Sequence, residues 1–114
     1  MSDLVDWAVA LDAVGGDADL LRDVVDAFLM EGPRQLLAAE QAIRDGDHVT
    51  LRRAAHTLKG NARYFGAQEM YDLAYELELL GEKQQFAGTE EIRGKIVEVM
   101  AKLTPVLLEY VGRK

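Results

Sequence analysis

The sequence predicts an all-α fold: an antiparallel four-helix bundle with one or two short accessory helices. Apolar residues recur at helical spacing through most of the 114 residues, and no stretch of useful length alternates with the period of a β-strand. Turns rich in glycine and aspartate divide the chain into amphipathic segments with short connections, as in a helical bundle. The length fits one hydrophobic core, so residues 1–114 are expected to form a single domain.

Two helices are predicted before the first proline. Asp3 is expected to cap a short first helix, and Asp17, after the Gly15-Gly16 turn, is expected to cap a second helix that runs to about Met30. The apolar positions are Leu4, Trp7, Ala8 and Leu11 in the first helix, and Leu21, Val24, Val25 and Phe28 in the second. Each helix is therefore predicted to turn one face toward a core.

A third helix is predicted after Gly32-Pro33. Proline is tolerated in the first turn of a helix but not in its interior, so this pair is expected to end or kink the second helix. The third helix then runs to about Arg44, and the Asp-Gly-Asp turn at 45–47 ends it and caps the next one. Its inward residues are Leu36, Ala39 and Ile43.

The remaining sequence predicts three further helices. The fourth runs from about His48 to Phe65 and stops at Gly66, a natural C-terminal glycine. A fifth follows almost at once, a loop covers 84–88, and Thr89 is expected to cap the last helix. The inward residues are Met70, Leu73, Ala74, Leu77 and Leu80 in the fifth helix, and Ile92, Ile96, Val99, Leu103, Val106, Leu107 and Tyr110 in the last.

Composition excludes several classes of function. The formal net charge is −7, with 20 acidic against 13 basic residues, so general binding to nucleic acid or to an anionic membrane is not expected. The absence of cysteine excludes disulfides and thiolate chemistry, and no apolar run approaches the roughly 20 residues of a membrane helix. The first residues do not resemble a secretory signal, and we expect a soluble, cytoplasmic protein.

One region differs from this acidic background. Residues 48–68 contain no aspartate or glutamate, although Arg52, Arg53, Lys59 and Arg63 all lie there. On a helical wheel the apolar residues of the fourth helix fall within about 60° of one direction, whereas His56 lies roughly 140° away from it. His56 is therefore predicted to be exposed on a basic strip rather than buried in the core.

Gly60 lies one turn beyond His56 on the same face. A glycine inside a helix costs about 1 kcal/mol relative to alanine. The functional interpretation is that the missing side chain lets another protein approach the imidazole. The alternative is a tolerated defect in a well-packed helix.

These residue types suit phosphoryl chemistry. A neutral imidazole nitrogen can attack a phosphoryl group and release it later, because the phosphorus–nitrogen bond is labile. Lys59, three residues after His56, can reach back along the helix to compensate the phosphoryl charge, and such a hydrogen bond contributes about 1.5–3 kcal/mol. Arg52 and Arg63 would add weaker, solvent-screened attraction for phosphate or for an acidic partner.

The segment 55–67, Ala-His-Thr-Leu-Lys-Gly-Asn-Ala-Arg-Tyr-Phe-Gly-Ala, resembles the signature of histidine-containing phosphotransfer (HPt) domains. In that signature a histidine is followed by leucine, lysine and glycine, with a second glycine ten residues later; here these are His56, Leu58, Lys59, Gly60 and Gly66. Residues 73–78 resemble the next helix of the family. The resemblance covers about 5–108.

The resemblance implies a phosphocarrier without its own kinase machinery. It accepts a phosphoryl group on His56 from the aspartate of one receiver domain and passes it to another in a multistep phosphorelay. Lys59 is its electrostatic neighbour and Gly60 the clearance residue, with Arg52, Arg63 and Gly66 as further binding residues. The partners are response-regulator receivers, with a hybrid sensor histidine kinase as a further candidate partner. The receiver supplies the Mg²⁺, so no cofactor of this chain is expected. A monomer is expected.

The chain departs from the family in the helix after the histidine. Some members place a glutamine or an arginine there, near the histidine, whereas residues 69–82 contain neither. No partner for His56 is assigned from that helix, and Glu76, Glu78 and Glu82 are predicted to form a solvated face. The aromatic residues nearby are interpreted as core or rim packing: Tyr64, Phe65, Tyr71 and Tyr75.

Three alternative functions make different demands on the sequence. A kinase needs a nucleotide-binding loop, and the glycines at 15–16 lack the length and the lysine of a P-loop. A di-iron bundle needs Glu-x-x-His pairs, but Asp45 precedes His48 and Arg53 precedes His56 at that spacing; His48 is interpreted as a surface residue. The third alternative is a purely structural helical module with a degenerate motif, and it stays open at this point.

Overall fold

A computed structural model describes residues 4–112, and all regular structure in that range is helical. The helices are α1 (Trp7–Ala13), α2 (Ala18–Asp45), α3 (His48–Tyr64), α4 (Gln68–Glu82) and α5 (Thr89–Tyr110). Helices α2 to α5 form the bundle, each packed against the next, and α2 also packs against α5. Short α1 packs on α2 and α3. The predicted all-α bundle with an accessory helix is confirmed, and none of the described helices could span a membrane.

The core of the bundle is built from the predicted apolar faces. Its largest fully buried side chains include Leu21, Leu51, Leu58, Met70, Leu77, Ile96, Leu103 and Leu107. Burying one such side chain contributes about 1.5–3 kcal/mol. Helix α3 turns Ala54, Ala55 and Ala62 to the same core, and these small residues let neighbouring helices approach closely. The opposite face of α3 therefore points to solvent.

Helix α2 runs without a break through Pro33, so the prediction of two separate helices here is wrong. Residues before and after the proline share one buried stripe, which includes Phe28, Gly32 and Leu36. A Cβ on Gly32 would lie 3.0 Å from Met100 Cε and 3.1 Å from the Phe28 ring, so the stripe packs tightly at this point. Pro33 itself is exposed. Continuous burial on both sides offsets the roughly 3 kcal/mol that an interior proline costs.

Two of the predicted aspartate caps are confirmed. Asp17 Oδ1 accepts a hydrogen bond from Leu20 N at 3.1 Å, and Asp47 Oδ1 accepts one from Thr50 N at 3.1 Å. The Thr50 hydroxyl also donates to Asp47 Oδ2 at 2.6 Å and thereby holds the pKa of Asp47 below its usual value. Between the two helices, Gly46 takes the left-handed conformation (φ 67°) that closes α2.

Two other caps differ from the prediction. Asp3 lies outside the described residues, and α1 starts after Asp6, whose carboxylate accepts hydrogen bonds from Ala8 N at 3.1 Å and Val9 N at 3.2 Å. Leu4 therefore precedes α1, and the predicted face shifts: Ala8 and Leu11 are exposed, whereas Val5 and Ala10 are buried. At α5 the cap is Gly88 (φ 83°), and Thr89 is instead the first helical residue. Thr89 is fully buried and its hydroxyl donates to Phe86 O at 2.7 Å.

Helix α1 is fixed at the end of α3. Asp6 N donates to Phe65 O at 2.9 Å, and Trp7 stacks on Tyr110 of α5 with ring centroids 4.3 Å apart and planes 15° apart. Gly66 follows with φ 63°, and a Cβ there would lie 2.6 Å from Asp6 Cβ. Gly66 therefore serves both the predicted end of α3 and the close approach of the segment before α1.

Gly81 allows a close approach between α3 and α4. A Cβ at this position would lie 3.0 Å from Arg52 N, 3.2 Å from its Cα and 3.3 Å from its Cβ. These are mainly backbone atoms, which cannot move aside as a flexible side chain can. Gly81 therefore sets how closely α4 approaches the first half of α3.

We expect Gly81→Ala to lower the free energy of unfolding by roughly 1–2 kcal/mol, because the new methyl group forces the two helices apart. Urea unfolding followed by circular dichroism measures this change. The matched control is Gly94→Ala in α5, where no heavy atom lies within 4 Å of the added Cβ. That variant should gain about 0.5–1 kcal/mol from helix propensity. Stabilisation of both variants alike would contradict the close approach at Gly81.

Candidate functional site

His56 projects from the solvent face of α3. Its side chain is 68% exposed, while Ala55 and Leu58 on either side of it in the sequence are fully buried. The orientation follows from the spacing of apolar residues along α3, which fixes the core-facing side of the helix. The predicted exposure of His56 is therefore confirmed.

A carboxylate on the neighbouring helix holds the imidazole. His56 Nδ1 lies 2.7 Å from Glu78 Oε2 of α4. An ionised carboxylate can only accept a hydrogen bond, so the ring hydrogen is on Nδ1. In the neutral ring the lone pair is then on Nε2. The arrangement leaves an available nucleophilic nitrogen on an exposed ring of fixed tautomer.

Lys59 completes this cluster from one turn along α3. Its Nζ lies 2.7 Å from Glu78 Oε1 and 4.9 Å from the centroid of the Tyr75 ring. The hydrogen bond to Glu78 raises the pKa of Lys59 above its usual value, against the opposing effect of burial. Burial alone would raise the pKa of Glu78, but hydrogen bonds from Lys59 and His56 outweigh it and hold that pKa below its usual value. Both groups are therefore charged at neutral pH.

Glu78 is the site residue that sequence reasoning missed. The prediction of a solvated face holds for Glu76 and Glu82, which are exposed, but is wrong for Glu78, whose side chain is only 15% exposed. Glu78 lies on the flank of α4, about 70° from its core direction. Tyr71, Tyr75 and Glu78 follow one another at spacings of four and three residues, so they lie on the same flank. This polar stripe beside the buried face of α4 was the sequence signal that could have identified Glu78 as a site residue.

Arg52, Arg53 and Arg63 lie on the same helix as His56 and form no ion pair with any residue that the structure describes. Arg52 and Arg53 line a cavity of about 270 Å³ together with His56 and Glu78. Arg63 lines a second cavity, of about 300 Å³, with Gly66 at the turn into α4. Within residues 4–112, none of the three arginines has a carboxylate within 4.0 Å. Their charges are therefore available to a partner.

Gly60 lines a surface groove one turn along α3 from His56. The groove has a volume of about 350 Å³, and we call it the Gly60 groove; it is lined by Val9, Asp12, Ala13, Gly60, Arg63 and Tyr64. No heavy atom lies within 4 Å of a Cβ built on Gly60, so packing inside the molecule does not require glycine here. Val9 of α1 is 44% exposed and gives the groove an apolar wall.

The other predicted aromatic and histidine residues serve the fold. Phe65 is buried, while Tyr64 and Tyr71 are half-buried beside the core, as predicted for packing residues. His48 is the first residue of α3 and is partly exposed. In the part of the chain that the structure describes, no three histidine, aspartate or glutamate side chains converge to hold a metal ion.

Comparison with known proteins adds a family match and a structural match. The model of the Hpt domain family matches residues 23–108. The crystal structure of histidine-containing phosphotransfer protein B (HptB) from Pseudomonas aeruginosa PAO1 superimposes with a TM-score of 0.89, covering 100% of this chain and 99% of that one. The two sequences are 19% identical, so this match shows the shared fold. None of the curated protein sequences matches significantly.

Proposed function

Because the chain belongs to the Hpt domain family, whose members carry phosphoryl groups on histidine in phosphorelays, we propose that His56 is its phosphoryl carrier. It accepts the group from the aspartate of one receiver domain and passes it to the aspartate of another. The observation that carries the proposal is the exposed imidazole with Nδ1 bound to Glu78 at 2.7 Å, because this leaves Nε2 available for attack. Because Nε2 of His56 is already exposed on α3, this chain can accept a phosphoryl group there without a conformational change.

The transfer is a displacement at phosphorus. The Nε2 lone pair attacks the phosphorus of the aspartyl phosphate, and the phosphorus–oxygen bond breaks with its electron pair on the aspartate oxygen. The ring then carries one positive charge, with its proton still on Nδ1 and directed at Glu78. Transfer to a second receiver is the same displacement in reverse, by a carboxylate oxygen.

The charges around His56 support the roles proposed for its neighbours. Lys59 lies with His56 on the side of α3 that contacts Glu78 of α4, and its positive charge compensates the negative charge of the phosphoryl oxygens. Arg52 and Arg63, which have no partners within residues 4–112, attract the acidic face of a receiver. Charges at the rim of an interface act mainly on the association rate, so salt should slow receiver-dependent transfer.

The contact area would come from the Gly60 groove. Its apolar wall at Val9 and the open space at Gly60 let a receiver helix approach the imidazole closely. The receiver would supply the acidic pocket and the Mg²⁺ for the chemistry. We propose that the chain acts as a cytoplasmic monomer, without kinase activity of its own, with receivers as partners and a hybrid sensor kinase as a further candidate partner.

The test is direct phosphorylation by phosphoramidate, a small donor that needs no partner protein. Intact mass spectrometry of the folded wild-type chain should show one acid-labile phosphoryl adduct. The same adduct should form on His48→Ala, because this variant keeps His56 and its contact with Glu78. No adduct on folded wild type, under conditions that label a known histidine carrier, would favour the purely structural module instead.

A further inference from the structure

We propose that Glu78 is a positioning residue that shortens the lifetime of phosphorylated His56 near neutral pH, because its carboxylate keeps the proton on Nδ1. The inference rests on the proposed function, since it concerns the phosphorylated form of His56. It goes beyond that function by assigning the lability of the carrier to a residue on the neighbouring helix.

The geometry fixes a negative charge at one edge of the ring. Glu78 Oε2 lies 2.7 Å from His56 Nδ1, and Oε1 lies 2.7 Å from Lys59 Nζ, so both carboxylate oxygens are held in place. The ammonium group of Lys59 in turn lies over the face of the Tyr75 ring. The carboxylate is largely shielded from water, and it cannot turn away from the ring without breaking the ion pair with Lys59.

Charged groups face the ring from two helices. Helix α4 contributes Glu78, and α3 contributes Arg52 and Arg53 across the shared cavity, with Lys59 beyond the carboxylate. Of these groups, only Glu78 makes a hydrogen bond to the imidazole. In the phosphorylated ring, the carboxylate in direct contact with Nδ1 therefore favours the form that keeps its proton, whereas the three cations, which make no hydrogen bond to the ring, oppose it more weakly.

The proton on Nδ1 decides what leaves when the phosphorus–nitrogen bond breaks. An oxygen of water or of a receiver carboxylate attacks phosphorus, and the electron pair of the broken bond stays on Nε2. If Nδ1 keeps its proton, the leaving group is a neutral imidazole. If that proton has been lost to solvent, the leaving group is an imidazolate anion, which departs far more slowly. A carboxylate at Nδ1 stabilises the protonated, reactive form, whereas an uncharged amide can accept the same hydrogen bond without this effect.

Glu78→Gln removes that charge together with the ion pair to Lys59, while glutamine keeps the size and one oxygen that can accept the hydrogen bond from Nδ1. Each protein is labelled with phosphoramidate and freed of donor, and the decay of the adduct is followed by intact mass from about pH 5 to about pH 9. We expect the Glu78→Gln adduct to survive about 3–10-fold longer near pH 7, with the midpoint of its pH–lifetime profile about one pH unit lower. Circular dichroism verifies that each protein is folded.

Glu76→Gln is the matched control, since it removes the same charge from an exposed position of the same helix. Its profile should coincide with that of wild type. A second comparison needs no variant: the adduct on folded wild type should stay labile to higher pH than the adduct on the same chain unfolded in urea.

The outcomes separate the two proposals. Labelled Glu78→Gln and wild type with the same profile would overturn the role of Glu78, as would a uniform change in lifetime at every pH. If Glu78→Gln does not fold, identical profiles for folded and urea-unfolded wild type would overturn it. Failure to label folded wild type would overturn the proposed function itself.

Discussion

His56→Ala is expected to accept no phosphoryl group, from either phosphoramidate or a phosphorylated receiver, while it keeps the fold. The variant removes the imidazole whose Nε2 is the proposed nucleophile, and His48 lies about two turns away along α3. Because the His56 side chain is 68% exposed, its loss leaves no cavity in the core. The free energy of unfolding should change by no more than about 0.5 kcal/mol.

Intact mass after incubation with each donor, together with thermal unfolding, measures both parts of this prediction. His48→Ala serves as the control, since it removes the other imidazole of the chain and should label like wild type. Measurable transfer to folded His56→Ala would mean that another residue carries the phosphoryl group.

Gly60→Leu is expected to separate docking from chemistry. A leucine at this position fills part of the Gly60 groove, so a receiver can no longer bring its aspartate to His56. A misfit of about 1.4 kcal/mol already reduces affinity tenfold, and we expect transfer from a receiver to fall by about tenfold or more. Labelling by phosphoramidate should be unchanged, because a small donor reaches Nε2 without contact with the groove.

The same substitution should not weaken the fold. No heavy atom lies within 4 Å of the Cβ position of Gly60, and replacement of a mid-helix glycine gains up to about 1 kcal/mol of helix propensity. Gly94→Leu is the matched control, since Gly94 also has open space around its Cβ position and lies on α5, whose backbone does not come close to that of α3. Equal loss of transfer with both donors would mean that Gly60 serves the helix rather than docking.

Local rules predicted most of the helix boundaries. The caps at Asp17 and Asp47 and the left-handed turns at Gly46 and Gly66 depend on a few neighbouring residues, so the sequence alone identifies them. The first helix shows the limit of such rules. Asp3 and Asp6 are equally good caps locally, and tertiary contact decides the start, through the hydrogen bond from Asp6 N to Phe65 O.

Pro33 was misread because its effect on a helix is decided by packing. Local chemistry predicts a break, and the predicted inward residues Phe28 and Leu36 lie on either side of it. Only the structure shows that both residues belong to one buried stripe of α2. Within that stripe, Gly32 packs closely against the side chain of Met100 in α5. The prediction would have required knowing which helix covers α2.

The functional site, like the fold, could be predicted from the sequence only in part. The outward direction of His56 and Gly60 follows from the spacing of apolar residues within α3, so one helix suffices to predict it. The contact between His56 and Glu78 depends on how α4 is rotated against α3. Without knowledge of the neighbouring helix, a residue on the flank of α4 such as Glu78 is predicted to be exposed to solvent. The acidic side chain also differs from the glutamine or arginine that the resemblance led us to look for.

The stack of Trp7 on Tyr110 gives the protein a built-in optical reporter. Trp7 is the sole tryptophan of the chain, so its fluorescence comes from α1 alone. Because Val9 on the same helix forms one wall of the Gly60 groove, a partner that displaced α1 on docking would disturb the Trp7–Tyr110 stack and change that emission. Such a displacement of α1 and the phosphorylation of His56 could then be recorded separately in one sample, by fluorescence and by mass.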